Sequence, residues 1–316
     1  MRPPLAGGCY REAVPRRSVV ALVVSGAVAL AITGAVLLAV LPPRAETAED
    51  TAQAFAEALI AADGPAAVAL VVDPPAAASL AAEALDGAFA VDTAEVVLIE
   101  QTSERATFDL TLGLAGDTAT ARLVLVDDGD RWRVADGMWG VLRVETTRGD
   151  AVRVGGARVP APGEVSLLPG LYPVTADPED LLDGATEAAV FPGTDQDVAI
   201  EAIPTEAALE AAQGAIADYA AACTVPATST PANCGMRIPW PADLVALDDL
   251  RFRIDRMPRV EDLDADSFVA SGGVLIVTAR GTDREGAPRD VTYRSDTWTL
   301  RGSFAVGPNG ITLTVW

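Results

Sequence analysis

The sequence predicts an α+β protein with an N-terminal transmembrane helix and two cone-like domains, each of helices and a curved antiparallel sheet, flanking a small all-β module. Three observations carry this prediction. Residues 18–41 contain no charged side chain. Apolar positions recur at helical spacing after Thr47 and again after Thr205, and strand-like alternation follows each time. Between these two stretches, residues 141–203 hold only strand and turn signals.

The uncharged run comes first. At about 1.5 Å per helical residue it reaches roughly 36 Å, enough to cross a hydrocarbon core of about 30 Å. Arg2, Arg11, Arg16 and Arg17 precede it, opposed only by Glu12. An excess of Arg on the short side places that side in the cytoplasm and everything after Pro42 outside. Residues 1–17 are therefore expected to form a cytoplasmic tail and residues 18–41 a single membrane span in contact with the lipid bilayer. A cleaved signal peptide has a shorter apolar region and a small-x-small site, which residues 41–45 do not offer; an uncleaved anchor is expected, with removal as the alternative. Ala27, Ala31, Ala35 and Ala39 recur every fourth residue. Such a stripe lets two membrane helices approach closely and supports a homo-oligomer, though an Ala-rich chain also makes stripes by chance.

Composition narrows the chemistry. The chain has 316 residues and a formal net charge of −22, and it contains neither Lys nor His. Lack of His removes Ser-His-Asp triads, Cys-His pairs and His-ligated zinc. The acidic balance argues against nucleic acid as a partner. No catalytic, cofactor-binding or metal-ligating residues stand out, and no cofactor is expected. Of three cysteines, Cys9 falls on the cytoplasmic side. Cys223 and Cys234 fall outside, close together, and are expected to form a disulfide.

Beyond the anchor, Thr47 and Asp50 form a capping-box-like start to a helix through Phe55 and Leu59. Shorter helical stretches at 66–72 and 76–85 follow. Strands are predicted at 95–100, 106–114, 118–126 and 132–134, giving a first domain over residues 46–140. In the β module, residues 141–203, Gly155-Gly156 reads as a two-residue hairpin turn and Pro169-Gly170 as a type II turn. The acidic loop 177–183 reads as a ligand-binding loop or a solvated connection. Thr205-Glu206 opens a long helix to Cys223. Strands at 250–255, 273–279, 290–293, 297–300, 303–306 and 311–316 complete a second domain over residues 204–316. Asp130-Arg131-Trp132 and Asp296-Thr297-Trp298 form a short echo that suggests a repeated domain.

The helix 47–59 followed by strands ending at Trp132, and the helix 205–223 followed by strands ending at Trp316, resemble nuclear-transport-factor-2-like domains. That resemblance implies helices packed into the concave face of a curved sheet. The overall plan is similar to bitopic actinobacterial and other Gram-positive envelope proteins of the teicoplanin-resistance-associated membrane protein family. It implies fold and location, without a defined activity.

Chemistry is harder to place. Asp262, Asp264 and Asp266 have the spacing that opens a calcium loop, but Ser267 stands where its Gly belongs and Gly273 where its Glu belongs. A solvated acidic loop is the plainer reading. Trp132 and Trp298, in apolar strands, are expected in the core. Trp240, between Pro239 and Pro241 beside the cysteine loop, is the candidate recognition residue. The expected function is a non-enzymatic, single-pass protein of the cell membrane, presenting an extracytoplasmic surface or pocket to cell-wall polymer or another ligand. The alternative is a scaffold subunit of a membrane protein assembly, with an envelope protein as partner.

Overall fold

The computed structural model describes residues 47–316 apart from Ala265. The tail, the membrane span and the Ala27, Ala31, Ala35 and Ala39 stripe lie outside the described residues. Among those described, no helix is long and apolar enough to cross a membrane.

Residues Thr47–Trp316 form one compact unit. It opens with three helices, α1 (Ala48–Ile60), α2 (Gly64–Ala69) and α3 (Ala78–Asp86). Thr47 and Asp50 cap α1 reciprocally: the Asp50 N–H donates to the Thr47 hydroxyl, and the Thr47 N–H donates to the Asp50 carboxylate. Phe55 and Leu59, fully buried, face the sheet that follows. That sheet is an antiparallel meander of β1 (Thr93–Gln101), β2 (Arg105–Leu114), β3 (Asp117–Asp127) and β4 (Trp132–Asp136) in chain order. Its buried face carries Phe108, Leu110, Leu112, Leu123 and Leu125.

A two-sheet sandwich follows. One sheet joins β5 (Gly140–Thr146) to β8 (Gly163–Leu167) and, in parallel, to β12 (Asp195–Ile200). The other orders β11 (Ala185–Val190), β9 (Gly170–Asp177), β6 (Ala151–Val154) and β7 (Ala157–Pro160). β9 alternates buried and half-buried residues, so Tyr172, Val174 and Ala176 face inward. The buried Tyr172 hydroxyl donates to the Leu168 carbonyl at 2.7 Å, and burial pushes its phenol pKa well above the ordinary value. A short bridge pairs β10 (Leu182–Asp183) with β13 (Ile203–Pro204). Gly155-Gly156 does turn β6 into β7. The backbone at the C-terminal end of α3 also rests on this pair, so a Cβ on either glycine would overlap the carbonyl oxygen of Ala84 or Glu83. Pro169-Gly170 takes the chain from one sheet to the other.

The last third holds α4 (Glu206–Cys223), a 3₁₀ turn (Trp240–Ala242) and five strands: β14 (Ala246–Arg256), β15 (Arg259–Asp264), β16 (Ser267–Thr282), β17 (Pro288–Gly307) and β18 (Gly310–Val315). All pair antiparallel, in the order β14-β16-β17-β18 with β15 also on β16.

This corrects the expected α+β class with two cone-like domains. Strand makes up 52% of the structure and helix 18%. The helical signals are real but yield short elements: α2 has 6 residues and α3 has 9. Their Ala-rich faces bury little area, and sheet packing decides the architecture. In the last third, four predicted strands merge into β16, of 16 residues, and β17, of 20. The polar residues 294–296, between two predicted strands, belong to one long strand whose register shifts between Ser295 and Trp298. The two tryptophans of the short sequence echo sit differently: Trp132 opens a short edge strand and is half-buried, while Trp298 lies mid-strand and is 1% exposed.

Two substitutions probe this architecture. Phe55→Ala should cost about 3–5 kcal/mol of unfolding free energy through the cavity it leaves. Tyr172→Phe should cost about 1–2 kcal/mol by leaving the Leu168 carbonyl unpaired in the core. Urea denaturation of the two variants beside the wild type measures both.

Candidate functional site

Cys223, at the end of α4, and Cys234 form a disulfide with a Cα–Cα distance of 5.7 Å, closing a loop of sequence separation 11. Both are buried. Two hydrogen bonds seat this loop. The Trp298 indole N–H donates to the Cys234 carbonyl at 2.8 Å, and the Tyr219 hydroxyl donates to the Asn233 carbonyl at 3.0 Å. Gly235 then crosses directly over the Thr299 carbonyl, where a Cβ would overlap it; its φ of +61° also suits glycine.

Beyond Gly235 the chain lifts away from β17 and a cleft of about 530 Å³ opens between them. One wall is residues 235–239. The other is the consecutive run 292–298 of β17, with Leu275 and Val277 of β16 beneath. A strand shows alternate residues to opposite faces, so a wall of consecutive residues presents strand backbone as well as side chains to the cleft. Met236, Ile238, Leu275 and Val277 make its apolar part. A shallower depression of about 380 Å³ lies across the Gly235-Met236-Arg237 ridge, with the 60% exposed Trp316 in its lining.

The charged groups of the cleft differ in how they are committed. Arg294 donates to Asp255 at 2.9 Å and to Asp296 at 2.8 Å, and these bonds raise its pKa above the ordinary guanidinium value. The Tyr293 hydroxyl donates to Asp243 at 2.8 Å; burial first, then that bond, push its pKa up to about 12. Arg237 is exposed and has neither ion pair nor side-chain hydrogen bond among the described residues. It is the cleft's one uncommitted cation among them.

Trp240 does not line the cleft. It opens the 3₁₀ turn beside it, half-buried and packed against the core. Its carbonyl accepts the Asp243 N–H at 3.0 Å and the Leu244 N–H at 2.9 Å, which sets Asp243 in place for Tyr293. The two acidic loops are tied into the backbone or core. Asp177, 5% exposed, accepts from Arg158 at 2.6 Å and Arg153 at 3.4 Å. Asp262 accepts the Leu263 N–H, and Ser267 donates to the Asp264 carbonyl. Among the described residues no group of carboxylates and cysteines is arranged to hold a metal ion. Sequence reasoning found the loop and its staple but not Arg237, Arg294 or Tyr293. The available signal was a lone Arg in an apolar stretch two residues past a loop-closing glycine.

The chain matches no protein-family model, no curated protein and no solved structure.

Two measurements test this site. Replacing both Cys223 and Cys234 by Ser should lower stability by about 3 kcal/mol on the loop-entropy account, read from urea denaturation. The Tyr293 pKa lies above its unfolded value of 10, so its contribution is complete below pH 10 and is lost as pH rises through about 12. Tyr293→Phe should therefore flatten the fall in stability over that window relative to wild type.

Proposed function

We propose that this chain is a non-enzymatic envelope protein, held in the cell membrane by residues 18–41 with its N-terminus in the cytoplasm. Its exported part would bind cell-wall material or another extracytoplasmic ligand. The observation that carries this reading is the cleft beside the stapled loop: an apolar floor, an uncommitted Arg237, and walls fixed by a disulfide and by Trp298. Pre-formed concavity with a few placed polar groups is what a binding site needs. The disulfide favours an oxidising compartment, in keeping with the outside placement read from the charges flanking the anchor. The cleft's titratable groups favour binding over proton transfer. Tyr293 stays protonated far above neutral pH, and Asp296 is tied to Arg294.

A second reading, a scaffold subunit in a membrane assembly, draws on β1. This strand is a sheet edge, and it exposes Val97, Leu98 and Ile99 in succession. Natural proteins seldom leave such an edge uncovered without a partner.

Co-sedimentation of the full-length, detergent-solubilised protein with cell-wall sacculi, across a salt series, separates these readings. Retention that survives high salt and falls about tenfold with Arg237→Glu supports wall binding through the cleft. No retention, together with in-cell crosslinks from Val97→Cys to other membrane proteins, favours the scaffold.

A further inference from the structure

The cleft has walls of unusual chemistry. On one side, β17 pairs with β16 along residues 288–303, but β18 covers its other edge only from Gly302 to Gly307. Between 292 and 298 no strand lies on that other edge, so the N–H and C=O groups that point away from β16 have no strand to receive them; the register breaks between Ser295 and Trp298, and there the Thr297 carbonyl accepts the Thr299 hydroxyl. Across the gap, the N–H and C=O groups of Met236, Arg237 and Ile238 form no hydrogen bond with protein among the described residues. The loop backbone at 236–238 and the edge of β17 that β16 leaves open thus both border one cleft with an apolar floor. Unpaired strand edges are templates for another extended chain.

Resting on the binding reading above, we infer that the ligand is an extended peptide. It adds as a strand to the edge of β17 and lies between that edge and the stapled loop. Its backbone pairs with residues 292–298, a length of about 20 Å at roughly 3.4 Å per residue. One aliphatic side chain enters the apolar floor made by Met236, Ile238, Leu275 and Val277. A neighbouring carboxylate meets Arg237, whose guanidinium has no acidic partner in a chain otherwise rich in acids. Arg294 does not compete for that carboxylate, because Asp255 and Asp296 already hold it. The disulfide and the bond from Trp298 to Cys234 hold the loop at its root, so the gap is set before the peptide arrives.

The test uses the full-length protein in detergent and a fluorescein-labelled pool of hexapeptides with a fixed central glutamate and randomised Val, Ile or Leu flanks. A second pool carries N-methyl groups on alternate backbone nitrogens, which removes strand donors without changing side chains. The expected result is an anisotropy rise with the first pool, a loss of at least tenfold in affinity with the second, and a loss of about tenfold in Arg237→Glu. Equal binding of both pools overturns strand addition. No binding of either pool overturns the peptide inference; if sacculi are still retained in an Arg237-dependent manner, the binding reading stands without it. Peptide binding without retention on sacculi supports the inference and moves the ligand from wall polymer to a protein partner.

Discussion

The hydrogen bond from the Trp298 indole to the Cys234 carbonyl fixes where the stapled loop touches the last sheet, and the rest of the candidate site follows from that point. The indole belongs to the core of a long strand, so it cannot shift to follow the loop. The disulfide anchors the other end of the loop to α4, which packs against β15 and β18. Between these two fixtures the chain has little freedom, and past Gly235 it must diverge from β17. The cleft is that divergence. Its charge pattern depends on the same geometry: the 3₁₀ turn brings Asp243 to Tyr293, while Arg237 projects where no acidic residue reaches it.

Elsewhere, backbone proximity ties the layers into one unit. The C-terminal end of α3 sits on the Gly155-Gly156 turn, and α3 also packs against β7, β8 and β9. A helix from the first sheet's half is thereby seated on the sandwich. Tyr172 closes the sandwich from within by satisfying the Leu168 carbonyl, a buried polar group that would otherwise cost stability. Buried Asp177 works similarly, accepting from Arg153 on the adjacent β6 and from Arg158 on β7, one strand further. None of these groups is left free for a ligand, which separates them from Arg237.

Signals that act within a few residues were legible in the sequence. Thr47 and Asp50 announced α1, Thr205 announced α4, Gly155-Gly156 marked a true hairpin, and Cys223 and Cys234 pair as their spacing suggested. What failed depends on partners far along the chain. Helix-like spacing at 47–85 and 205–223 suggests an α+β class, yet most of the buried apolar residues lie on strands whose pairing no local pattern specifies. The polar residues 294–296 separate two predicted strands, yet the structure carries them within one continuous strand that shifts register between Ser295 and Trp298. Trp240 stood out for its flanking prolines, whereas the residue left free by the tertiary structure is Arg237, an arginine with no distinguishing neighbours in sequence.

Backbone amide hydrogen exchange in the oxidised, full-length protein tests the central claim most directly. The account predicts fast exchange at Met236, Arg237 and Ile238 and at the residues of 292–298 whose N–H points away from β16, while the Trp298 indole N–H, followed in the same spectra, is strongly protected. Slow exchange throughout 236–238 and 292–298 would mean that the two walls are already paired, and the cleft would not be a place for a peptide to bind.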